Sequence, residues 1–217
     1  MQFARLFLPL ALLAVLTACA PTKFRSYDGP EVTRVFIYKA ERQMDLIHFG
    51  TVLKSYRVQL GGQPFGHKER EGDRRTPEGD YIIDRRNPNS AFHLSIGIDY
   101  PNEADRAHAK ANGWRPGGDI FIHGRGPRFQ RARGDWTDGC IAVTDRQMED
   151  IYAMVRNGTP ITIFASKQQE LERSGMSAPA MAASGPRLAA APVTGLLVLT
   201  PGPDTPRPRP SPARAGR

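Results

Sequence analysis

The stretch Ile120 to Ile151, IFIHGRGPRFQRARGDWTDGCIAVTDRQMEDI, decides how this chain is read. It opens as a strand that ends in His123-Gly124 and passes into a loop rich in glycine and arginine. Thr137-Asp138-Gly139-Cys140 then leads into a second apolar run, Ile141-Ala142-Val143. Thr144 with Gln147 makes a capping-box pattern, and Met148, Ile151, Tyr152 and Val155 recur at helical spacing until Gly158. A free thiol titrates at about 8.5, so a nucleophilic cysteine needs a base to form its thiolate. It also needs amide N–H groups aimed where an oxyanion forms. Gly139 lets the backbone turn tightly just before Cys140. His123 and Cys140 stand at strand edges beside one loop, where an imidazole can deprotonate the thiol. Each also has a plainer reading, Cys140 as a buried structural thiol and His123 as an ordinary strand histidine.

Upstream, Val32–Lys39 is β-branched and aromatic and predicts a strand. Two more strand-like runs, DLIHF and VLKSYRVQL, meet near Gly50-Thr51 and suggest a hairpin. Strands are also expected at Asp80–Asp84, Phe92–Ile98 and Ile120–His123, with a closing strand over Thr159–Ala165. Asn102 can cap a helix over Glu103–Asn112, which Gly113 ends. The expectation is one mostly β domain with two short helices over residues 32–167.

The 217 residues carry a formal charge of +8, with 40% hydrophobic and 24% charged residues. That composition suits a globular domain. After Glu172 there are six arginines and one acid, so much of the excess lies in the tail and argues against nucleic acid as a partner. Residues 1–18 read as a signal peptide: Arg5 precedes a short apolar run, and Leu16-Thr17-Ala18 stands directly before Cys19. The order matches a bacterial lipoprotein signal, in which Cys19 is lipidated, and Ala20 after it suggests the outer membrane facing the periplasm. Residues 19–31 are expected to be a tether. Residues 168–217, rich in Ala, Pro and Arg, are expected to be a disordered tail. No zinc set or other cofactor pattern is legible, because the histidines lack ligand spacing.

The central stretch resembles the L,D-transpeptidase family, whose YkuD-type catalytic domain carries a strand His-Gly, a variable loop and then Ser/Thr-x-Gly-Cys. The matching residues are His123-Gly124 and Thr137-Asp138-Gly139-Cys140. Thr76-Pro77-Glu78-Gly79 is similar to the family's Thr-Pro-x-Gly turn, and residues 92–101 resemble a segment of a Gram-negative branch. The likeness spans roughly residues 32–166. It implies a β-sandwich with Cys140 as nucleophile, His123 as base, the Gly124 carbonyl orienting the imidazole and the Gly139 backbone near the oxyanion. It implies a peptidoglycan stem tetrapeptide as substrate, release of D-alanine, and transfer of the thioester to an amine. Water as acceptor would make a carboxypeptidase or an amidase that frees a wall-linked lipoprotein. A non-catalytic wall-binding lipoprotein is the alternative of another class. His93, Thr137, Trp136 and Arg125 are candidates for substrate contact. Two positions depart from the family pattern: Asp138, where many members have His or Ser, and Ala142, where many have Arg or an equivalent polar residue. Arg125, Arg128, Arg131 and Arg133 in the loop are candidate replacements for that cation.

Overall fold

The computed structural model describes residues 22–175; Cys19, the signal region and the tail from 176 onward lie outside the described residues. Eight strands follow one another as β1 (Arg34–Tyr38), β2 (Gln43–His48), β3 (Thr51–Arg57), β4 (Gly79–Asn87), β5 (Ser95–Ile98), β6 (Phe121–His123), β7 (Ile141–Ala142) and β8 (Pro160–Phe164). Among the described residues three helices accompany them: α1 (Glu103–Ala111), α2 (Asp145–Met154) and α3 (Lys167–Arg173).

The strands form one sheet in the order β3-β2-β1-β8-β4-β5-β6-β7. Strand β4 joins its two halves. Gly79–Ile82 pair with β8, Ile83–Asn87 pair with β5, and the register shifts between Ile83 and Arg85. The far edges also meet. Gln59, just past β3, exchanges two 2.8 Å backbone hydrogen bonds with Ala142 of β7. The sheet thus curls on itself and encloses one core, in which Val35, Ile37, Leu46, Ile83, Ile96, Ile122, Ile141 and Ile161 are fully buried. Strand β4 alternates, with Tyr81 and Ile83 inward and Ile82 and Asp84 outward. Central β8, between β1 and β4, is buried on both faces from Ile161 to Phe164, and three of those four residues are apolar.

Both capping boxes read from the sequence form. Asn102 and Asp105 close the start of α1, and Thr144 and Gln147 close that of α2. Helix α2 buries Met148, Ile151 and Met154 against the sheet. The β2–β3 turn is Phe49-Gly50, both at positive φ, one residue earlier than the expected Gly50-Thr51. Strand β5 begins only at Ser95, because His93 has φ of +77 and breaks the extended backbone.

Two expectations at the ends need correction. The third helix, α3, lies in what was read as the start of the disordered tail. It buries none of its residues, so it has no apolar stripe to read. Polar contacts hold it instead. Ser166 caps it, Tyr38 donates to Glu170 at 2.8 Å, and Arg173 pairs with Asp80. Residues 22–31 of the expected tether are strapped to the domain. Lys23 donates to the Pro88 and His93 carbonyls at 2.6 and 3.2 Å, and Arg25 pairs with Glu149 and Asp150 of α2.

Candidate active site

Parallel pairing of β6 with β7 sets Ile122 beside Ile141 and His123 beside Ala142. Side chains two residues apart on a strand share a face. Cys140, two before Ala142, therefore faces the same side as His123. Both line one cavity of about 360 Å³, together with Asn87, Ser90, Ala91, Phe92, Ser95, Asp119 and Phe121.

The bend before Cys140 is held by Thr137, whose hydroxyl donates to the Cys140 carbonyl at 2.7 Å and accepts the Gly139 N–H at 3.2 Å. Gly139 has φ of +131, and a Cβ there would stand 2.6 Å from the Arg75 carbonyl oxygen. Only glycine fits without a shift in the backbone. These bonds correct two expectations. The Gly139 amide is engaged inside the turn, so it is not free to meet an oxyanion. The Thr137 hydroxyl is likewise occupied within the loop.

His123 is buried, and its Nδ1 lies 2.5 Å from the Gly124 carbonyl. A carbonyl only accepts, so Nδ1 carries the proton and Nε2 is the nitrogen left to act as base. Aromatic rings surround the imidazole: Phe92 at 4.4 Å between centroids and Trp136 at 5.8 Å edge-on. Phe129 stacks on Trp136 at 4.6 Å, and the indole N–H donates to Gln59. Trp136 thus walls the histidine and does not line the cavity.

Burial acts oppositely on the two groups. It pushes the His123 pKa down, against the Gly124 hydrogen bond and the Asp145 charge, which both raise it. It pushes the Cys140 thiol up, with help from the Asp119 and Asp138 carboxylates and against a hydrogen bond from the Phe121 N–H. Burial thus favours the neutral form of both the thiol and the imidazole. The thiol itself donates to the Asp119 carbonyl at 3.4 Å, from a backbone at positive φ.

Asp145 was not singled out in the sequence. Its Oδ1 accepts the Arg125 and Gly126 N–H groups at 2.6 and 2.9 Å, and its Oδ2 accepts from Gln130 at 2.5 Å. The first residue of α2 thereby holds the segment that carries the Gly124 carbonyl. An acid just after a capping threonine reads as ordinary helix chemistry, so nothing local marked this role. Ser95 and Asn87 were also missed, since only the pairing of β4, β5 and β6 brings them beside His123.

The remaining substrate-contact candidates lie elsewhere. The His93 ring meets Glu149 at 2.9 Å and does not line the cavity. The Arg125 guanidinium bonds Gln59 and the Gln130 carbonyl, and it lines separate cavities beyond the loop. Exposed Asp138 stands 3.4 Å from Arg74.

A sequence model of the YkuD L,D-transpeptidase catalytic domain matches residues 32–163. Over 125 residues the chain is 33% identical to the "Putative L,D-transpeptidase YafK" of Escherichia coli strain K12, covering 55% of this chain and 45% of that protein. The chain thus spans about half the length of the curated relatives it matches. Among solved structures, the K307A mutant of the helical cell shape determining protein Pgp2 from Campylobacter jejuni is similar at 26% identity and a TM-score of 0.50, over 64% of this chain and 49% of that one. Pgp2 without that mutation matches at 22% identity and a TM-score of 0.51, over 71% of this chain and 55% of that one, which speaks to the fold alone. With 132 of its residues under the family's sequence model and its strands in the same fold, this chain belongs to the YkuD family of L,D-transpeptidase catalytic domains.

Proposed function

We propose that the protein is a peptidoglycan L,D-transpeptidase in which Cys140 is the acyl nucleophile and His123 its base. The observation that carries this reading is the shared cavity. It holds one thiol and one imidazole whose single basic nitrogen is fixed by the Gly124 carbonyl. The thiol passes its proton to Nε2 as Sγ attacks the stem-peptide carbonyl on the L-centre of the diamino acid. The Cys140 amide, at the bend, is the nearest candidate to receive the oxyanion. The C–N bond to D-alanine then breaks, and the imidazolium returns the proton to the departing amine. An amine acceptor attacks the thioester, forms the new peptide bond and frees the thiol. Lipidation at Cys19 would hold the enzyme at the periplasmic face of the outer membrane. A role in cell shape is supported by the name of the Campylobacter relative.

The test is mass spectrometry of the protein with defined tetrapeptide stem fragments. The reading expects a Cys140 acyl adduct and cross-linked dimers. Tripeptide without dimers would make water the acceptor. Cys140→Ala is expected to abolish turnover with the fold intact, and substantial activity in that variant would overturn the assignment. Membrane fractionation of Cys19→Ala tests the anchor, with release into the soluble fraction expected.

A further inference from the structure

On the other side of the 124–136 loop lies a larger cavity of about 830 Å³, whose lining includes Arg42, Arg57, Arg125, Arg131, Arg133 and Asp135. Asp135 is its one carboxylate, and that group is already matched. One oxygen pairs with Arg42 at 2.8 Å and the other accepts the Leu60 N–H at 2.9 Å. Among the described residues the other four guanidinium groups have no carboxylate within salt-bridge reach. Arg57, Arg131 and Arg133 are exposed, and the Arg125 Nε is buried with no hydrogen-bond partner. Four uncompensated cations around one concavity repel one another, and low-dielectric walls focus their field into the space. They contribute no ion pair to the fold, so their placement calls for a ligand that supplies the missing anions. The guanidinium fork matches a carboxylate in a two-bond geometry.

We infer that this cavity binds a carboxylate-bearing peptide, as the part of the substrate that extends beyond the Cys140 cavity. The inference rests on reading Cys140 as acting on a peptide. Proximity supports it. The loop that leaves His123 and returns to Cys140 forms one wall of the arginine cavity. A second, smaller cavity of about 170 Å³ shares Arg57, Gln59 and Arg125 and reaches Ala142, two residues past Cys140. Chemistry supports it too. The lining interleaves the Gln59 and Gln130 amides and one carboxylate with the cations. That mixture suits a chain of amides carrying spaced carboxylates, since the Gln59 and Gln130 amides can pair with peptide groups that a polyphosphate lacks.

The test is calorimetric titration of Cys140→Ala protein, which binds without turnover, with a stem tetrapeptide and with the same peptide amidated at its carboxylates. Amidation is expected to weaken binding about tenfold, the scale of one lost charge-assisted contact. Adding Arg57→Gln, Arg131→Gln and Arg133→Gln should erase the difference. The double variant at 131 and 133, whose exposed side chains make no hydrogen bond or ion pair among the described residues, guards against loss of folding and should reduce the difference partially. Equal affinity for the two peptides, or a difference that survives the triple substitution, overturns the inference. So does tighter binding of a short polyphosphate than of the peptide. Carboxylate-dependent binding with no acyl adduct on the wild-type protein would leave this cavity standing while the transpeptidase reading fails. A normal adduct with an unchanged KM in the triple variant would do the reverse.

Discussion

His123 and Cys140 share an environment that disfavours charge on either, which decides the pH behaviour of the pair. The neutral imidazole is the form that can accept the thiol proton, and burial holds its pKa below the usual value of about 6.5. As pH falls, His123 therefore protonates later than a free imidazole would. The acid limb of kcat/KM is expected below pH 6.5, and a pH-rate profile with its acid midpoint above 7 would contradict a buried neutral base. Gly139→Ala tests the bend. The new Cβ would meet the Arg75 carbonyl oxygen at 2.6 Å from a positive φ. The expected cost is about 1–3 kcal/mol, read from urea midpoints, and an unchanged midpoint would show that the turn can relax. At this scale the sequence was informative. A cysteine behind a glycine and a histidine at a strand end are local signatures. The hydrogen bonds of Thr137 were not legible, because a hydroxyl next to a bend could serve either substrate or turn.

Helix α2 does more than cover the sheet, since its first residue holds the segment after His123. Asp145→Ala removes the two carboxylate oxygens that accept three hydrogen bonds from residues 125, 126 and 130, and frees the Gly124 carbonyl to drift. A displacement of this kind is expected to lower kcat by about 100-fold with a smaller change in KM. Asp145→Asn keeps an acceptor oxygen and should recover part of the rate. Equal kcat in the Ala variant and the wild type would remove Asp145 from the positioning of His123. The elements themselves were mostly readable, because β-branched runs and two capping boxes are patterns within the chain. Helix α3 was not, for its stability comes from Tyr38 and Asp80, distant in sequence, and not from an apolar face of its own.

Closure of the sheet edges through Gln59 and Ala142 is the whole-molecule event that no local pattern announces. It brings residues 42 and 57 to the loop at 125–135 and gathers arginines that a charge count assigns to no particular face. The sequence reading located the basic excess in the tail by counting, and a count says nothing of how the remaining arginines gather in space. The amino-terminal strap is another long-range product. Lys23 holds the carbonyls of Pro88 and His93, which bracket Ser90, Ala91 and Phe92 on the wall of the Cys140 cavity. Replacing Lys23 and Arg25 with alanine should lower stability only slightly, as expected for solvent-screened polar contacts and ion pairs. It should also speed amide exchange across residues 89–94, and unchanged exchange there would show that the strap braces nothing.

The strap also sets a leash length. If Cys19 carries the lipid proposed above, two residues separate it from Thr22, and the three Cα–Cα steps between them extend to at most about 11 Å. A domain of this size has a radius of gyration of about 15 Å. The enzyme would then patrol a thin shell of the wall, as deep as its own body and little more, and strands lying farther from the membrane would be beyond its grasp.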